Sequence, residues 1–515
     1  MKGQGGDSTA GWPAEALLAV DVGTSGARAS AFDLEGHRLL EVRHPYPIVA
    51  PQPGWAEQDA RQWRAGALSA LGRTIRALGP AVRVRGISLT GQCPSVVPTD
   101  AAGNPLGPGL MYRDNRATAE AEEFRERFGD AEIHRRTGHL PAAFHIGPKV
   151  LWLRRHRPGL FARTARFLQP RDLALLALTG EMVTDGTHAA GTLLFDLRGR
   201  RWDAALFEAL ELDPGLFPPV RESTTVVGEL RPWLMRRFGL ADTVPVVLGG
   251  ADSQACALGA GVVGPGPVSE MAGSSTCLNA AVPVPLDELL VTHYTHVVPG
   301  PYTTETGLNT TGAAIEWLAD LLYGGRAGRA RGSDYLRLDA EASAIGAGAD
   351  GVLALPVLGD GERTDPDLRA AFTGLSQRHG RAVMARAMLE GTVFSMRRQL
   401  ELLRHAGTPV NELRVSGGDT RLATWNRIKA DILGVPVVRV PGDAASTGVA
   451  MLAGLGAGVY RDPEEAIERC VHLEERIEPD ERTHDAYEVA YAAHCTLADA
   501  AVARLWMGRS PHGEG

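Results

Sequence analysis

Apolar residues come in short blocks that end on glycine-rich polar turns. Leu17 to Val20 run into Asp21-Val22-Gly23-Thr24-Ser25-Gly26, and Ala27 to Asp33 return as a second apolar run. This pattern predicts a β-hairpin with a glycine-rich turn. A third strand is expected over 39–46, after the turn at Glu35-Gly36. Residues 59–78 carry apolar positions at helical spacing. Val84 to Leu89 reads as a short buried strand ending on Thr90-Gly91-Gln92, and 115–128 as a charged amphipathic helix. Residues 148–212 look mainly helical, with Pro and Gly breaks.

The pattern then recurs. Val244 to Leu248 is an apolar strand ending in Gly249-Gly250, and Asp252 opens a helix-like run to Leu258. Val268 to Ala272 leads into Gly273-Ser274-Ser275-Thr276, and Cys277 to Val282 returns. Asn309-Thr310-Thr311-Gly312 enters a helix over 313–323, and a Gly/Arg-rich loop follows at 324–332. A strand over 412–415 reaches Ser416-Gly417-Gly418-Asp419, followed by a helix to Leu433, and a last helix is expected from Asp443 through Ala453. The strand–glycine turn–strand device thus occurs twice. The expected layout is a disordered lead-in over 1–15 and two similar α/β halves, 16–247 and 248–515.

Composition narrows the functional classes. The chain has 515 residues and a net charge of −8, which argues against nucleic acid as a partner, because phosphate backbones require a basic face. Lysine occurs only at Lys2, Lys149 and Lys429. None sits between Gly and Ser or Thr, so a Walker-type phosphate loop is not expected. The five cysteines (Cys93, Cys256, Cys277, Cys470 and Cys495) form no C-x-x-C pair, which fits reduced thiols in a cytoplasm. Met1 to Glu15 is polar and Gly-rich, unlike a signal peptide. No uncharged apolar stretch of about 18 residues predicts a membrane span.

Three groups of residues carry candidate chemistry. In Asp21-x-Gly-Thr-Ser-Gly, backbone N–H groups of a tight turn can cradle phosphate oxygens. Thr24 and Ser25 add hydroxyls, Arg28 adds charge, and Asp21 could hold Mg²⁺ through water; an ordinary Gly hairpin would read the same. In Gly249-Gly250-Ala251-Asp252, a carboxylate just past a strand end sits where open α/β sheets place ligands. It could accept the proton of an attacking hydroxyl, or simply cap a helix. Gly273-Ser274-Ser275-Thr276, Thr311-Gly312 and Ser416-Gly417-Gly418 are small-residue junctions suited to close approach of a nucleotide. Gly259-x-Gly261-x-x-Gly264 matches a dinucleotide pattern but follows a helix and lacks the closing acidic residue. The fifteen histidines show no metal-ligand spacing; His293 and His296 read as surface or internally satisfied.

Taken in order, these segments resemble the FGGY carbohydrate kinases, the xylulose kinases most. The resemblance rests on Ala19-Val20-Asp21-Val22-Gly23-Thr24-Ser25-Gly26-x-Arg28, Trp55-Ala56-Glu57-Gln58-Asp59, Gly86-Ile87-Ser88-Leu89-Thr90-Gly91-Gln92, Arg113-Asp114-Asn115-Arg116, Gly249-Gly250-Ala251-Asp252, Ser416-Gly417-Gly418 and Trp425-x-x-Ile428-x-Ala430-Asp431-x-x-Gly434-x-Pro436-Val437. It spans about residues 17–460. It implies an α/β fold of two ribonuclease-H-like (actin-like ATPase) domains around a cleft, and ATP-dependent phosphorylation of a sugar. By resemblance, 16–247 is the sugar-binding and phosphate-hairpin domain, and 248–515 the nucleotide-binding domain. Asp252 takes the role of catalytic base. Thr24, Ser25, Gly26, Arg28, Ser274, Gly312, Gly417 and Gly418 face the nucleotide, Asp21 the Mg²⁺, and Gln92, Cys93 and Ser253 the sugar. The partners implied are ATP, Mg²⁺ and a small sugar or polyol, with no nucleic acid and no membrane; a homodimer is an allowed assembly.

The departures bear on the sugar. Xylulose kinases typically read Gly-Gln-Met-His-Gly, whereas this chain reads Gly91-Gln92-Cys93-Pro94-Ser95, so Pro94 stands where a sugar-binding His is usual. Ser253 replaces the usual Asn or Gln, and Asp419 the usual Gly or Ala. A ketopentose such as xylulose is the expected acceptor. Ribulose, erythritol or a glycerol-like polyol are alternatives. An actin-like regulatory protein would need no base aimed at a sugar, and a turnover-deficient sugar sensor would fit the altered 93–94 segment.

Overall fold

The computed structural model describes residues 12–324, 332–358, 362 and 368–508. Residues 1–11 of the expected lead-in, and 325–331 of the expected Gly/Arg-rich loop, lie outside them. The chain forms two compact units. The first comprises residues up to 263, 282–304 and 444–472; the second comprises 264–281, 305–443 and the residues from 473 on.

The first unit is built on a six-stranded sheet. Its strand order is Val226–Glu229, Pro245–Val247, Arg83–Gly91, Glu15–Val22, Gly26–Phe32 and Arg38–Pro45. Pro245–Val247, Arg83–Gly91 and Glu15–Val22 run parallel, and Glu15–Val22 turns back through two antiparallel hairpins. Glu15–Val22 is buried on both faces, which explains its unbroken apolar run. Leu18 and Val20 pack with Trp63, Ala67 and Leu71 of the helix Ala60–Leu78. Leu17 and Ala19 point the other way, onto Val449, Met451 and Leu452 of the helix Ala444–Gly456. Asp59 caps Ala60–Leu78 by accepting the Arg61 N–H.

Small residues bring two helices of this unit into backbone contact. A Cβ at Gly259 would lie 1.8 Å from the Ala444 carbonyl oxygen, and one at Gly448 would lie 1.9 Å from that of Ala255. The first glycine of the dinucleotide-like pattern therefore serves helix packing. A second core in the same unit is rich in aromatics, with Phe124, Trp152, Phe167, Phe207 and Phe217. Over 148–212 the helices Pro170–Thr179 and Gly186–Ala190 alternate with strands of two or three residues, such as Arg166–Leu168 and Thr184–Asp185. Strands that short carry no readable period.

The second unit repeats the strand order. Tyr302–Leu308, which enters this unit at residue 305, is followed by Thr276–Val282, Gly266–Ala272, Val410–Gly417, Val437–Arg439 and Arg476–Ile477. Gly266–Ala272 and Thr276–Val282 form the hairpin; Val410–Gly417 and Val437–Arg439 add in parallel. Each sheet closes on an antiparallel edge strand. Glu270 is buried in Gly266–Ala272, and the Lys429 ammonium donates to both of its carboxylate oxygens at 2.8 Å. Pairing of this kind is what lets two charges sit in a core. Two helices, Pro463–Cys470 and Glu481–Gly508, follow the one expected to be last.

Candidate active site

In the first unit, three parallel strands end side by side. They deliver Asp21, Gln92 and the loop 248–251 to one edge of the sheet, where open α/β sheets place ligands. Asp21 lies opposite Arg28 in the hairpin register, and the Arg28 Nε donates to its carboxylate at 2.7 Å. Gly26 is required by close approach, since a Cβ there would lie 2.6 Å from the His44 carbonyl oxygen. Ser25 is exposed at the turn, and Thr24 is half-buried. The Tyr46 hydroxyl donates to the Gly23 carbonyl at 2.7 Å. Burial and the charge of Asp21 hold that phenol far above its usual range.

Gln58 joins the hairpin to Gln92. Its amide donates to the Thr24 carbonyl at 2.7 Å, and its side-chain oxygen accepts from Gln92 at 2.7 Å and from the Trp63 indole at 2.8 Å. The next residue, Cys93, is half-buried. Burial and the charge of Asp252 push its thiol well above the ordinary range, so it stays protonated. The Cys93–Pro94 wall packs so closely on Gly191 that a Cβ there would lie 3.1 Å from both the Cys93 Sγ and the Pro94 Cβ. Behind this wall lies Lys149, fully buried. It donates to the carbonyls of Met111 and Phe144 at 2.6 Å and of Pro94 at 3.4 Å. Burial pulls its ammonium down to about 7.

Asp252 is the first residue of the helix Asp252–Gly259, with Ala251 at the cap position. It is half-buried, and one carboxylate oxygen accepts the Ser253 N–H at 2.9 Å. The Ser253 hydroxyl donates to the Gln254 side chain at 2.9 Å. The positive end of the helix favours a carboxylate at this place. Gly249 adopts a φ of 76°, and a Cβ there would lie 1.8 Å from the Leu89 carbonyl oxygen, so only glycine fits the turn.

The loop is gripped from behind by residues that the sequence reading missed. Arg171 is fully buried; it donates to the Leu248 carbonyl at 2.9 Å and to Asp185 at 2.7 Å. Asp185 also accepts from the Thr187 N–H at 2.8 Å, from the Thr187 hydroxyl, and from the Ser223 hydroxyl at 3.0 Å, and it pairs with His188 Nδ1 at 2.7 Å. Burial opposes charge on Asp185, but Arg171, His188 and these hydrogen bonds prevail and hold the carboxyl far below its usual range. The Ala251 N–H donates to the Thr187 hydroxyl at 2.8 Å. One sequence signal was available: Arg171-Asp172 is a charged pair at the head of an otherwise apolar helix, Pro170–Thr179.

In the second unit, the remaining candidates meet at the corresponding strand ends. Ala272 pairs with Gly417 across the parallel strands. The Ser274 carbonyl accepts the N–H groups of Thr311 and Ala313 at 3.1 and 3.0 Å, and so seats the turn on the start of the helix Gly312–Tyr323. The Thr276 and Thr311 hydroxyls share a hydrogen bond of 2.8 Å. A Cβ at Gly418 would meet nothing within 4 Å. The second unit thus brings Ser274, Gly312, Gly417 and Gly418 together; the first does so for Asp21, Gln92, Cys93 and Asp252.

His293 and His296 are both buried, contrary to a surface placement. His296 is satisfied internally: its Nε2 pairs with the Val262 carbonyl and its Nδ1 accepts the Val298 N–H. His293 packs edge-on against His134. Among the described residues, no group of three or more His, Cys, Asp or Glu side chains is placed to hold a metal ion, and no helix is long and apolar enough to cross a membrane.

Comparison with known proteins places the chain in a family. Residues 16–259 match the N-terminal domain of the FGGY family of carbohydrate kinases, and residues 269–457 its C-terminal domain. A xylulose kinase of Staphylococcus epidermidis is 28% identical over 494 residues, covering 93% of this chain and 96% of its own. A glycerol kinase of Gloeobacter violaceus is 32% identical over 472 residues, covering 88% and 90%. The crystal structure of a xylulose kinase from Rhodospirillum rubrum superimposes with a TM-score of 0.88 at 30% identity, covering 95% of this chain and 99% of that one. With both family domains matched in order and an actin-like fold of two sheet-containing units, the chain belongs to the FGGY family of carbohydrate kinases and is a sugar phosphotransferase.

Proposed function

We propose that this kinase transfers the γ-phosphoryl group of ATP to a primary hydroxyl of a ketopentose such as xylulose, with Asp252 as the base. The observation that carries this reading is the setting of Asp252. It is a half-buried carboxylate at a helix start, near enough to act on the Cys93 thiol, and it follows the end of a parallel strand through a loop fixed by buried hydrogen bonds. In phosphoryl transfer the protein supplies mainly position and charge, and an Asp accepts the proton of the attacking hydroxyl as it bonds to phosphorus. The relatives named xylulose kinases support the ketopentose.

In this reading, Thr24, Ser25 and Gly26 offer donors to the phosphates, and Arg28 keeps the Asp21 charge balanced. Ser274, Gly312, Gly417 and Gly418 border the nucleotide. Asp21 itself offers carboxylate oxygens, the ligand type that fits Mg²⁺ brought in on ATP with most of its waters retained. Bound there, Mg²⁺ would neutralise charge on the phosphates, and Asp21 would hold it through water. Gln92, Cys93 and Ser253 face the sugar.

A second acceptor class is favoured by one local fact. The wall at Cys93–Pro94 offers a protonated thiol, a weak donor, and a proline with no side-chain donor. A less polar ketose or a sugar alcohol would lose less against that wall, and the glycerol kinase relative is in keeping with this. A coupled assay with ATP and a panel of xylulose, ribulose, erythritol and glycerol tests both readings. Xylulose with the highest kcat/KM supports the first, and a polyol with the highest kcat/KM replaces it with the second.

A further inference from the structure

The loop that presents Asp252 has two backbone handles, and one buried cluster holds both. On one side Arg171 takes the carbonyls of Leu248 and Gly249, at 2.9 and 3.5 Å. On the other side the Thr187 hydroxyl takes the Ala251 N–H at 2.8 Å. Between the handles lies Gly250, where a Cβ would meet Val297 at 2.5 Å, the Thr187 hydroxyl at 3.1 Å and the Ser223 hydroxyl at 3.4 Å. The cluster is thus moulded to a residue without a side chain at position 250.

The polarity of the cluster is fixed. An ionised carboxylate only accepts hydrogen bonds. The Thr187 hydroxyl therefore donates to Asp185 and turns a lone pair toward the Ala251 N–H. Ser223 also donates to Asp185, and its own carbonyl accepts the Gly249 N–H at 2.9 Å. The Leu248 and Gly249 carbonyls, the Gly249 N–H and the Ala251 N–H thus end on Arg171, Ser223 and Thr187, all three of which donate to Asp185. Thr187, Asp185, Arg171 and Ser223 are all buried, and none needs to touch sugar or nucleotide to act.

We infer that Asp185 and Thr187 are positioning residues, which set the place of the Asp252 carboxylate through the Ala251 N–H. The inference rests on the reading of Asp252 as base. Its consequence is specific. Loss of the Thr187 hydroxyl frees the Ala251 N–H and lets the loop drift. Small misplacements of a reacting group cost rate steeply, while binding contacts elsewhere are untouched.

The test is a double-mutant cycle with ATP and D-xylulose, or with the acceptor the panel selects, read by sugar-phosphate formation. Thr187→Val should lower kcat by about 10- to 100-fold, up to the cost of misplacing a reacting group by about 1 Å. Both KM values should stay within about threefold. Thr187→Ser keeps the hydroxyl and should restore most of the rate. In an Asp252→Asn background, Thr187→Val should cost less than about twofold more, because residues acting through one group are not additive. Four results would overturn the inference: unchanged kcat in Thr187→Val, a loss confined to KM, no recovery in Thr187→Ser, or losses that multiply in the double variant. If Thr187→Val does not fold, Ser223→Ala decides by the same cycle. A loss of about threefold that vanishes in the Asp252→Asn background supports the inference, and no loss overturns it. Asp252→Asn alone reports separately on the base: near-normal turnover there sinks the base and this inference together, whereas multiplying losses sink only the inference.

Discussion

The two units share a sheet of the same strand order, yet their strand ends carry opposite chemistry. In the first unit the ends bear Asp21, Gln92 and Asp252: Asp21 pairs with Arg28, Gln92 bonds the buried Gln58, and the loop leading to Asp252 is held by the buried Arg171, itself paired with Asp185. In the second unit the ends bear Ser274, Gly312, Gly417 and Gly418, residues with little or no side chain, and Gly418 faces open space. Under the proposed function the contrast has a physical reason. Proton abstraction needs a charge held still, and so a scaffold of buried polar bonds. A nucleotide needs backbone at close range, and so the absence of side chains. One topology accommodates both because the strand ends are set by the sheet, while the residues on them are free to differ.

Removing the charge of the first unit gives the largest expected effect. Asp252→Asn should lower kcat by about 100- to 10,000-fold, the usual contribution of a general base, with ATP affinity and melting temperature unchanged. Near-normal turnover would return Asp252 to a helix-start residue and dissolve the contrast. Next comes the open space of the second unit. Gly418→Val should weaken ATP binding by about tenfold, in line with the 1–3 kcal/mol cost of overpacking, and should leave the fold intact because nothing in the protein is crowded. Titration calorimetry showing unchanged nucleotide affinity would remove Gly418 from the site.

The smaller effects sharpen the first unit. Restoring an imidazole in Pro94→His should raise kcat/KM for xylulose by up to about tenfold, the worth of one hydrogen bond of about 0.5–1.5 kcal/mol. No gain would mean that another group already meets that hydroxyl. A further effect, on stability rather than on rate, concerns Lys149, behind the same wall. Its ammonium titrates at about 7 in the folded protein, against about 10.4 in an unfolded chain. Between those values the unfolded chain holds a proton that the folded one has released, so this group adds stability as pH rises from about 7 toward 10 and withholds it below. Urea midpoints at pH 7 and 9 should therefore rise more in the natural protein than in Lys149→Met. Equal rises would contradict the shift.

The hairpins, the glycine turns and the helix that Asp252 begins were legible because each is encoded locally. Alternating apolar runs, glycines at turn positions and a charged residue at a strand end all lie within ten residues of one another. The grip on the Asp252 loop was not legible, because it joins Arg171 to Leu248 and Thr187 to Ala251 across more than sixty positions, and no spacing rule spans that distance. The helix Glu481–Gly508 was missed for a different reason. Its buried stripe is Tyr487, Tyr491, His494 and Ala498, spaced as a helix requires but built of residues that read as polar or neutral. The histidines show the converse: His296 is consumed by backbone groups in the interior, and that burial comes from tertiary packing alone.

The central claim is that this kinase moves phosphate from ATP to a sugar hydroxyl with Asp252 taking the proton. The most direct measurement follows ADP release and sugar-phosphate formation together, with ATP·Mg²⁺ and the acceptor panel, in the natural protein and in Asp252→Asn. The account predicts acceptor-dependent ADP release matched one to one by sugar phosphate, reduced at least about 100-fold in the variant. ADP release without an acceptor, or equal product from both proteins, would contradict it.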